Sequence, residues 1–248
     1  VGNDDGLLMD RVKAFRKQFA IEMGVVLPKV RLKDEKQVKP NQYAINVFGA
    51  KVGEGSISPD QTLAINPGGT RAKLEGEVTK DPTYGLEAIW IEEGQRKAAN
   101  SAGYTLVDPL TVLTTHFTEL MRQSGSALLT RNETEKLINR VREEQGSLLE
   151  ELIPNVLSIG DVQKVLQMLL KESVPIRNLE QILEVLVDYG KQTRSPEALT
   201  EAVRQQLGPV ICQALSNKKG ELYVMTLDPS LEQMISESIR NIDERSTL

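Results

Sequence analysis

Residues 81–116 read DPTYGLEAIWIEEGQRKAANSAGYTLVDPLTVLTTH, and the succession of signals in this stretch decides the fold class. Residues 88–91 are a short apolar run with one aromatic, the composition of a buried strand. Glu92 and Glu93 follow, and negative charge there suits the positive end of a helix dipole. Gly103 stops that helix as the residue just past its end. Residues 104–107 are the next strand, and Asp108-Pro109 opens a second helix as N-cap and first-turn proline. The order is strand, helix, strand, helix. Ahead of it, Asp-Pro-Thr-Tyr-Gly-Leu (81–86) reads as a turn with an exposed carboxylate, Asp81, and an aromatic, Tyr84, three positions later. The stretch holds no nucleophile–base pair and no metal-ligand cluster. It reads as a surface for contact.

Upstream, Asp4-Asp5-Gly6 suits the cap of a first helix whose apolar residues Leu8, Val12, Phe15, Phe19 and Met23 recur at three- and four-residue intervals, with Arg11, Arg16 and Lys17 on the other face and Gly24 at its end. Residues 29–32 alternate and read as a strand, residues 42–48 as a second, and residues 49–55 as a glycine-rich connection. Residues 63–66 form a short strand ending at Pro67-Gly68-Gly69. That turn lacks the spacing of a phosphate-binding loop and does not open into a helix, so its glycines supply turn geometry.

Downstream the character changes to helix after helix. T-x-x-E at Thr130 and Glu133 and S-x-x-D at Ser158 and Asp161 are capping boxes ahead of apolar faces. Asn178 opens a helix that Gly190 closes, and Ser195-Pro196 opens another that Gly208-Pro209 closes. Residues 130–208 therefore read as a compact all-helical unit. Ten basic against thirteen acidic residues there disfavour a DNA-reading role. Residues 221–227 then read as a strand, and Asp228-Pro229 caps a final helix using Leu231, Ile235, Ile239 and Ile242.

Composition bounds the function. The chain of 248 residues is 40% hydrophobic and 26% charged, ordinary globular usage, with aromatics at only 4%. Its cores are aliphatic, which suits several small units better than one large core. A net charge of −5 argues against a general nucleic-acid binder. Cys212, the single cysteine, excludes an internal disulfide and a zinc cluster, and its context VICQAL suggests a buried thiol. No run approaches the roughly 20 apolar residues of a membrane helix. The first residue is Val1 rather than Met, as in a piece of a longer protein. The first forty residues carry nine Lys or Arg against six Asp or Glu, which suits either a solvated helix face or proximity to a membrane anchor.

His116, the one histidine, follows Thr114-Thr115 on a helix. Asp81 and Thr115 are the groups that could make it part of a hydrolase site, if the fold brought them to it. A lone helix histidine is otherwise a hydrogen-bonded structural residue.

DPTYGLEAIWI (81–91), GYTLVDPLTVLTTHFTEL (103–120), LLEELIP (148–154) and VQKVLQMLLKESVPIRNLEQILEVL (162–186), preceded by FRKQFAIEMG (15–24), resemble the FlhA family, the membrane component of the flagellar type III export gate with relatives in virulence secretion systems. The resemblance covers nearly the whole chain and is to the family's cytoplasmic C-terminal part. It implies a multi-subdomain α/β fold. Residues 1–60 and 109–129 would form a mixed α/β subdomain, 61–108 a small inserted α+β subdomain, 130–208 the helical subdomain, and 209–248 the start of a fourth, α/β subdomain. It further implies a non-enzymatic docking platform that needs no cofactor. That platform would sit on the cytoplasmic face of the bacterial inner membrane, in a homo-oligomeric, nonameric ring. Its partners would be export chaperones carrying late flagellar substrates and other export-apparatus components. The chaperone site implied is a depression at Asp81, Tyr84 and Thr115, with Leu63 and Pro67 as further walls. The family carries phenylalanine where this chain has Tyr84, so the ring is kept and a hydroxyl added. The virulence-type gate is the nearest alternative, and FRKQFAIEMG and DPTYGLEAIWI favour the flagellar one.

Overall fold

The computed structural model describes residues 4–68 and 73–246; side chains are described for 6–68 and 73–239. The chain divides into two compact units, residues 1–204 and 205–248.

The first unit starts with α1 (Asp4–Met23). Its stripe of Val12, Phe19 and Met23 is buried, as the three- and four-residue spacing requires. The side chains of Asp4 and Asp5, expected to cap it, lie outside the described set. Gly24 ends the helix at φ +79°, and a Cβ there would stand 2.6 Å from the backbone nitrogen of Arg177. Glycine at this point permits both the left-handed turn and the close approach of residues 176–177. That approach is sealed by the Ile176 amide donating to the Met23 carbonyl at 2.9 Å.

Two antiparallel sheets follow. β1 (Gln42–Val47) and β2 (Ala50–Ser56) form a hairpin, and β4 (Glu77–Lys80), β5 (Glu87–Ile91), β3 (Thr62–Ile65) and β6 (Thr105–Val107) form a four-stranded sheet in that spatial order. Leu63 on the central strand stands between Trp90 and Val107, and its neighbour Ala64 between Ile89 and Leu106. Period-2 alternation thus divides the sheet's side chains into two cores. One joins Leu63, Ala88, Trp90 and Val112. The other joins Ala64, Ile91, Ala99 and Tyr104. Val112 belongs to α3 (Pro109–Gln123) and Ala99 to α2 (Arg96–Ser101), so a helix contributes to the core on each face. Both faces being covered is why residues 88–91 are apolar without a break.

The strand expected at residues 29–32 is absent: this segment carries no regular element and is mostly exposed, with Leu32 about half open to solvent. Alternation there marks no buried face. The glycine-rich connection expected at 49–55 is instead β2. Its glycines leave room for packed side chains, since a Cβ on Gly53 would lie 2.3 Å from Leu120 Cδ1 of α3 and one on Gly55 2.5 Å from the Tyr43 hydroxyl.

From α4 (Gly125–Leu128) the unit is helical: α5 (Arg131–Glu144), α6 (Gly146–Leu152), α7 (Ile159–Lys171), α8 (Leu179–Gly190) and α9 (Pro196–Gln206). Leu149, Leu152, Val165, Leu166, Leu169, Ile182, Leu183, Leu186, Leu199 and Val203 fill its core. The Ser158–Asp161 capping box is complete in both directions, and Thr130 accepts from the Glu133 amide. Asn178 stands at its helix start without a side-chain cap bond. Gly208-Pro209, expected to close α9, opens α10 (Gly208–Leu215), where a first-turn proline has no amide to lose.

In the second unit residues 221–227 form no strand, and Tyr223 is 85% exposed. Among the described residues no strand pairs with them. Asp228 caps α11 (Pro229–Ser246) through the Ser230 amide at 2.9 Å, and the apolar Leu231, Ile235 and Ile239 are exposed. Cys212, expected buried, is exposed on α10.

Candidate functional site

Helix α3 is fixed first, because the site is built on it. Asp108 accepts from the Thr111 amide at 2.9 Å and from the Thr111 hydroxyl at 2.5 Å. Partial burial opposes its ionisation, but these bonds and the nearby Arg11 guanidinium outweigh that and hold the carboxyl below its ordinary value. The helix then packs on α1 through Phe117, whose ring meets Phe15 edge-on at 5.9 Å. Arg122 and Glu22 bridge the same two helices at 2.9 Å. Both are over a third exposed, so the pair orients the helices more than it stabilises them.

Against this helix stands the six-residue turn between β4 and β5. Asp81 holds it. Its Oδ2 accepts the Tyr84 amide at 2.7 Å, its carbonyl accepts the Gly85 amide at 2.9 Å, and its amide donates to the Leu86 carbonyl at 2.8 Å. The aspartate carboxylate thus caps the turn, bonding the backbone three residues on as a helix N-cap does. Asp81 is 5% exposed, not the open carboxylate expected from the sequence. It has been drawn inside to satisfy the backbone of its own turn. The consequence is that Tyr84 is pushed outward and left 67% exposed. A tyrosine stapled onto its own core would be covered.

Tyr84 and Thr115 line one open depression of about 340 Å³, together with Arg11, Thr114, Thr118, Glu119 and Arg122. The Thr114 and Thr118 hydroxyls are spent on helix carbonyls, those of Leu110 at 2.8 Å and Thr114 at 2.7 Å. The depression therefore offers an aromatic ring and threonine side chains, bordered by two guanidiniums and a carboxylate.

Of the five residues expected here, Tyr84 and Thr115 meet at the depression and Asp81 holds the turn that presents Tyr84. Leu63 is no wall: it is fully buried at the centre of the four-stranded sheet. Its expected place on the surface overlooked that β3 is a central strand, apolar on both faces. Pro67 is exposed but does not line the depression. Gly69, next in its turn, lies outside the described residues. The residues missed by sequence reasoning had one readable signal, the threonines at i, i+1 and i+4 on a single helix. Arg11, a hundred positions from Thr111 whose hydroxyl it meets at 2.8 Å, had none.

His116 lies on the same helix but is 6% exposed. Its Nδ1 shares a hydrogen bond with the Tyr43 hydroxyl at 2.8 Å. Burial lowers its proton affinity, with the Asp81 charge acting in the opposite sense. Burial also pushes the Tyr43 hydroxyl up, and the same charge adds to it. Thr115, the nucleophile that a hydrolase reading requires, is exposed while the imidazole is enclosed. The group bonded to the imidazole is a phenol that holds its proton.

"Flagellar biosynthesis protein FlhA" of Bacillus subtilis is 40% identical over 246 residues, which is 99% of this chain and 36% of that protein. The chain thus spans about a third of the length of the curated relative it matches. In fold it is similar to the Chlamydia pneumoniae CdsV protein, with TM-score 0.77 at 22% identity, covering 92% of this chain and 66% of the other. It is similar also to nonameric EPEC SctV-C, with TM-score 0.67 at 19% identity, covering 95% of this chain and 78% of the other. The likeness to these two structures is one of fold. Since a single family model, the FHIPEP family, matches every residue from 1 to 248, the chain belongs to the FHIPEP family.

Proposed function

We propose that this chain is the docking platform of a flagellar type III export gate, which receives export chaperones carrying late substrates and passes them toward the membrane pore. The carrying observation is the exposed Tyr84, held out beside Thr115 by a turn whose own carboxylate is buried. A protruding aromatic with a polar border suits a partner helix, where ring burial supplies affinity and charges set orientation. Docking of this kind needs neither catalysis nor a cofactor.

The flagellar system is favoured over a virulence one because the FlhA relative is 40% identical and the secretion-gate structures 22% and 19%. A homo-oligomeric ring, nine-membered by analogy with SctV-C, would set several such depressions side by side. Other export-apparatus components would bind the same assembly, and the parent protein would be anchored in the bacterial inner membrane with this part on its cytoplasmic side. Among the described residues no helix is long and apolar enough to cross a membrane. Within the ring each chain would divide at 1–60 with 109–129, 61–108, 130–208 and 209–248.

Calorimetry of a cognate chaperone–substrate complex against the chain and its Tyr84→Ala variant tests the reading. Truncating an aromatic anchor costs about 2 kcal/mol, roughly a thirtyfold loss of affinity, and the far-UV spectrum should not change. Equal affinities with an intact fold would remove Tyr84 from the site.

A further inference from the structure

The excess of basic residues near the start of the chain has a definite place in the fold. α1 is balanced, with four Lys or Arg and four Asp or Glu. Residues 29–39 carry the excess: Lys29, Arg31, Lys33, Lys36 and Lys39 against Asp34 and Glu35, all of them exposed. On α1 the cations are mostly engaged, Lys13 with Asp10, Arg11 with Thr111 and Arg16 with the Leu27 carbonyl. Among the described residues none of the five cations at 29–39 has a carboxylate within ion-pair distance.

The backbone of the same segment is equally open. No N–H or C=O of residues 28–34 bonds another group among the described residues. Yet both ends of the segment are held. Val25 and Leu27 are buried, and the Leu27 carbonyl accepts from Arg16 Nε at 3.2 Å and Nη2 at 2.7 Å. At the far end the Val38 amide donates to the Glu35 carbonyl, and the amide of Gln42, which opens β1, to the Lys39 carbonyl, each at 3.1 Å. No residue of 25–42 lines the depression at Tyr84.

We propose that residues 29–33 are a docking strand, completed by an extended acidic segment of a partner protein that adds alongside it. The partner's carboxylates would stand opposite Lys29, Arg31 and Lys33. This surface is separate from the depression and does not rest on the docking reading there.

Alternation is what makes the segment a strand in waiting. Extended, it sets residues 29, 31 and 33 on one face and Val30 and Leu32 on the other. In strand addition the main-chain bonds supply affinity and the side chains at alternate positions supply specificity. Fixed ends lower the cost of ordering the segment when it binds. The charges select the occupant. A second copy would place cations directly opposite cations, which is destabilising, and lysines on an open edge guard against such self-pairing. An anionic lipid surface would use the charges but leave the row of N–H and C=O groups and the alternation without a role. An acidic strand uses all three.

The test is amide hydrogen exchange of the full chain, followed residue by residue by nuclear magnetic resonance, with a short synthetic peptide that alternates glutamate and valine. A peptide of the same composition with its glutamates in one block is the control. The alternating peptide should slow every second amide between residues 29 and 34, and the block peptide should not. Added salt should weaken the binding. A chain carrying Lys29→Gln, Arg31→Gln and Lys33→Gln should bind roughly tenfold more weakly, as the loss of three opposite-charge cross-strand pairs requires. Its urea midpoint should not move, because the three side chains are exposed and unpaired.

Binding without the alternating protection, equal protection by the block peptide, or a triple variant that binds as wild type each overturn the proposal. A chain that sediments with phosphatidylglycerol vesicles, not with phosphatidylcholine ones, and ignores the peptide overturns it in favour of a lipid surface. A chain that dimerises through residues 29–33 overturns it in favour of a second copy.

Discussion

Asp81 shows how much one side chain's placement changes the account of a site. As an open rim carboxylate it would steer a partner and contribute little to the fold. Enclosed and bonded to the Tyr84 amide, it becomes the residue on which the turn depends. Hydrogen bonds to charged groups contribute about 1.5–3 kcal/mol, so Asp81→Ala should lower stability on that order. It should also weaken docking indirectly, by releasing Tyr84. Asp81→Asn should recover most of the stability. Urea denaturation of the three proteins checks this; an Asp81→Ala chain as stable as wild type contradicts it. His116 adds a pH dependence. The unfolded chain takes up the imidazole proton as pH falls through about 6.5, whereas burial delays that uptake in the folded chain. In this window the unfolded state binds more protons, so stability should fall as pH is lowered through it and level off below the folded-state value. Tyr84 was legible in the sequence as an aromatic in a turn. The inward turn of Asp81 was not, because the same D-P-T-Y letters suit an exposed turn and an Asx-capped one.

At the scale of elements, legibility followed the local signal. The Asp108 cap, the Ser158–Asp161 box and the strand at residues 88–91 each carry their signature within a few residues, and each formed where expected. β2 failed because its glycines look like loop glycines until α3 is laid against Gly53 and Tyr43 against Gly55. The predicted test is Gly53→Ala. Its Cβ would meet Leu120 Cδ1 at 2.3 Å and crowd the His116 ring, and overpacking of this kind costs about 1–3 kcal/mol. Because Leu120 is a side chain that can shift while the imidazole is pinned by Tyr43, the damage should concentrate at the hairpin–α3 contact. A drop in the urea midpoint with loss of the His116–Tyr43 contact is expected. An unchanged midpoint would mean the hairpin does not bear on α3. Residues 29–32, which alternate, and 221–227, an apolar run, failed for the converse reason: each looks like a strand locally, and among the described residues no neighbouring strand pairs with it.

For the whole molecule, the two units differ in how much they bury. The helices of the first unit enclose an aliphatic core drawn from α6–α9, while Tyr223, Val224 and Met225 in the second are largely or wholly exposed. Limited proteolysis should cut first within residues 216–228 and leave α7 and α8 intact, since protease access follows local opening. First cuts inside α7 or α8 would contradict this. Gly125 is buried within the first unit, where a Cβ would lie 3.7 Å from the Phe19 ring, and the boundary between units falls after Arg204. Docking itself is most directly tested by hydrogen–deuterium exchange of the full chain with and without a saturating cognate chaperone–substrate complex. Protection confined to the 81–86 turn and the Thr114–Arg122 face of α3, with α7–α9 unchanged, is the predicted footprint; binding that leaves those two segments exchanging freely, or that protects the helical core instead, would contradict it.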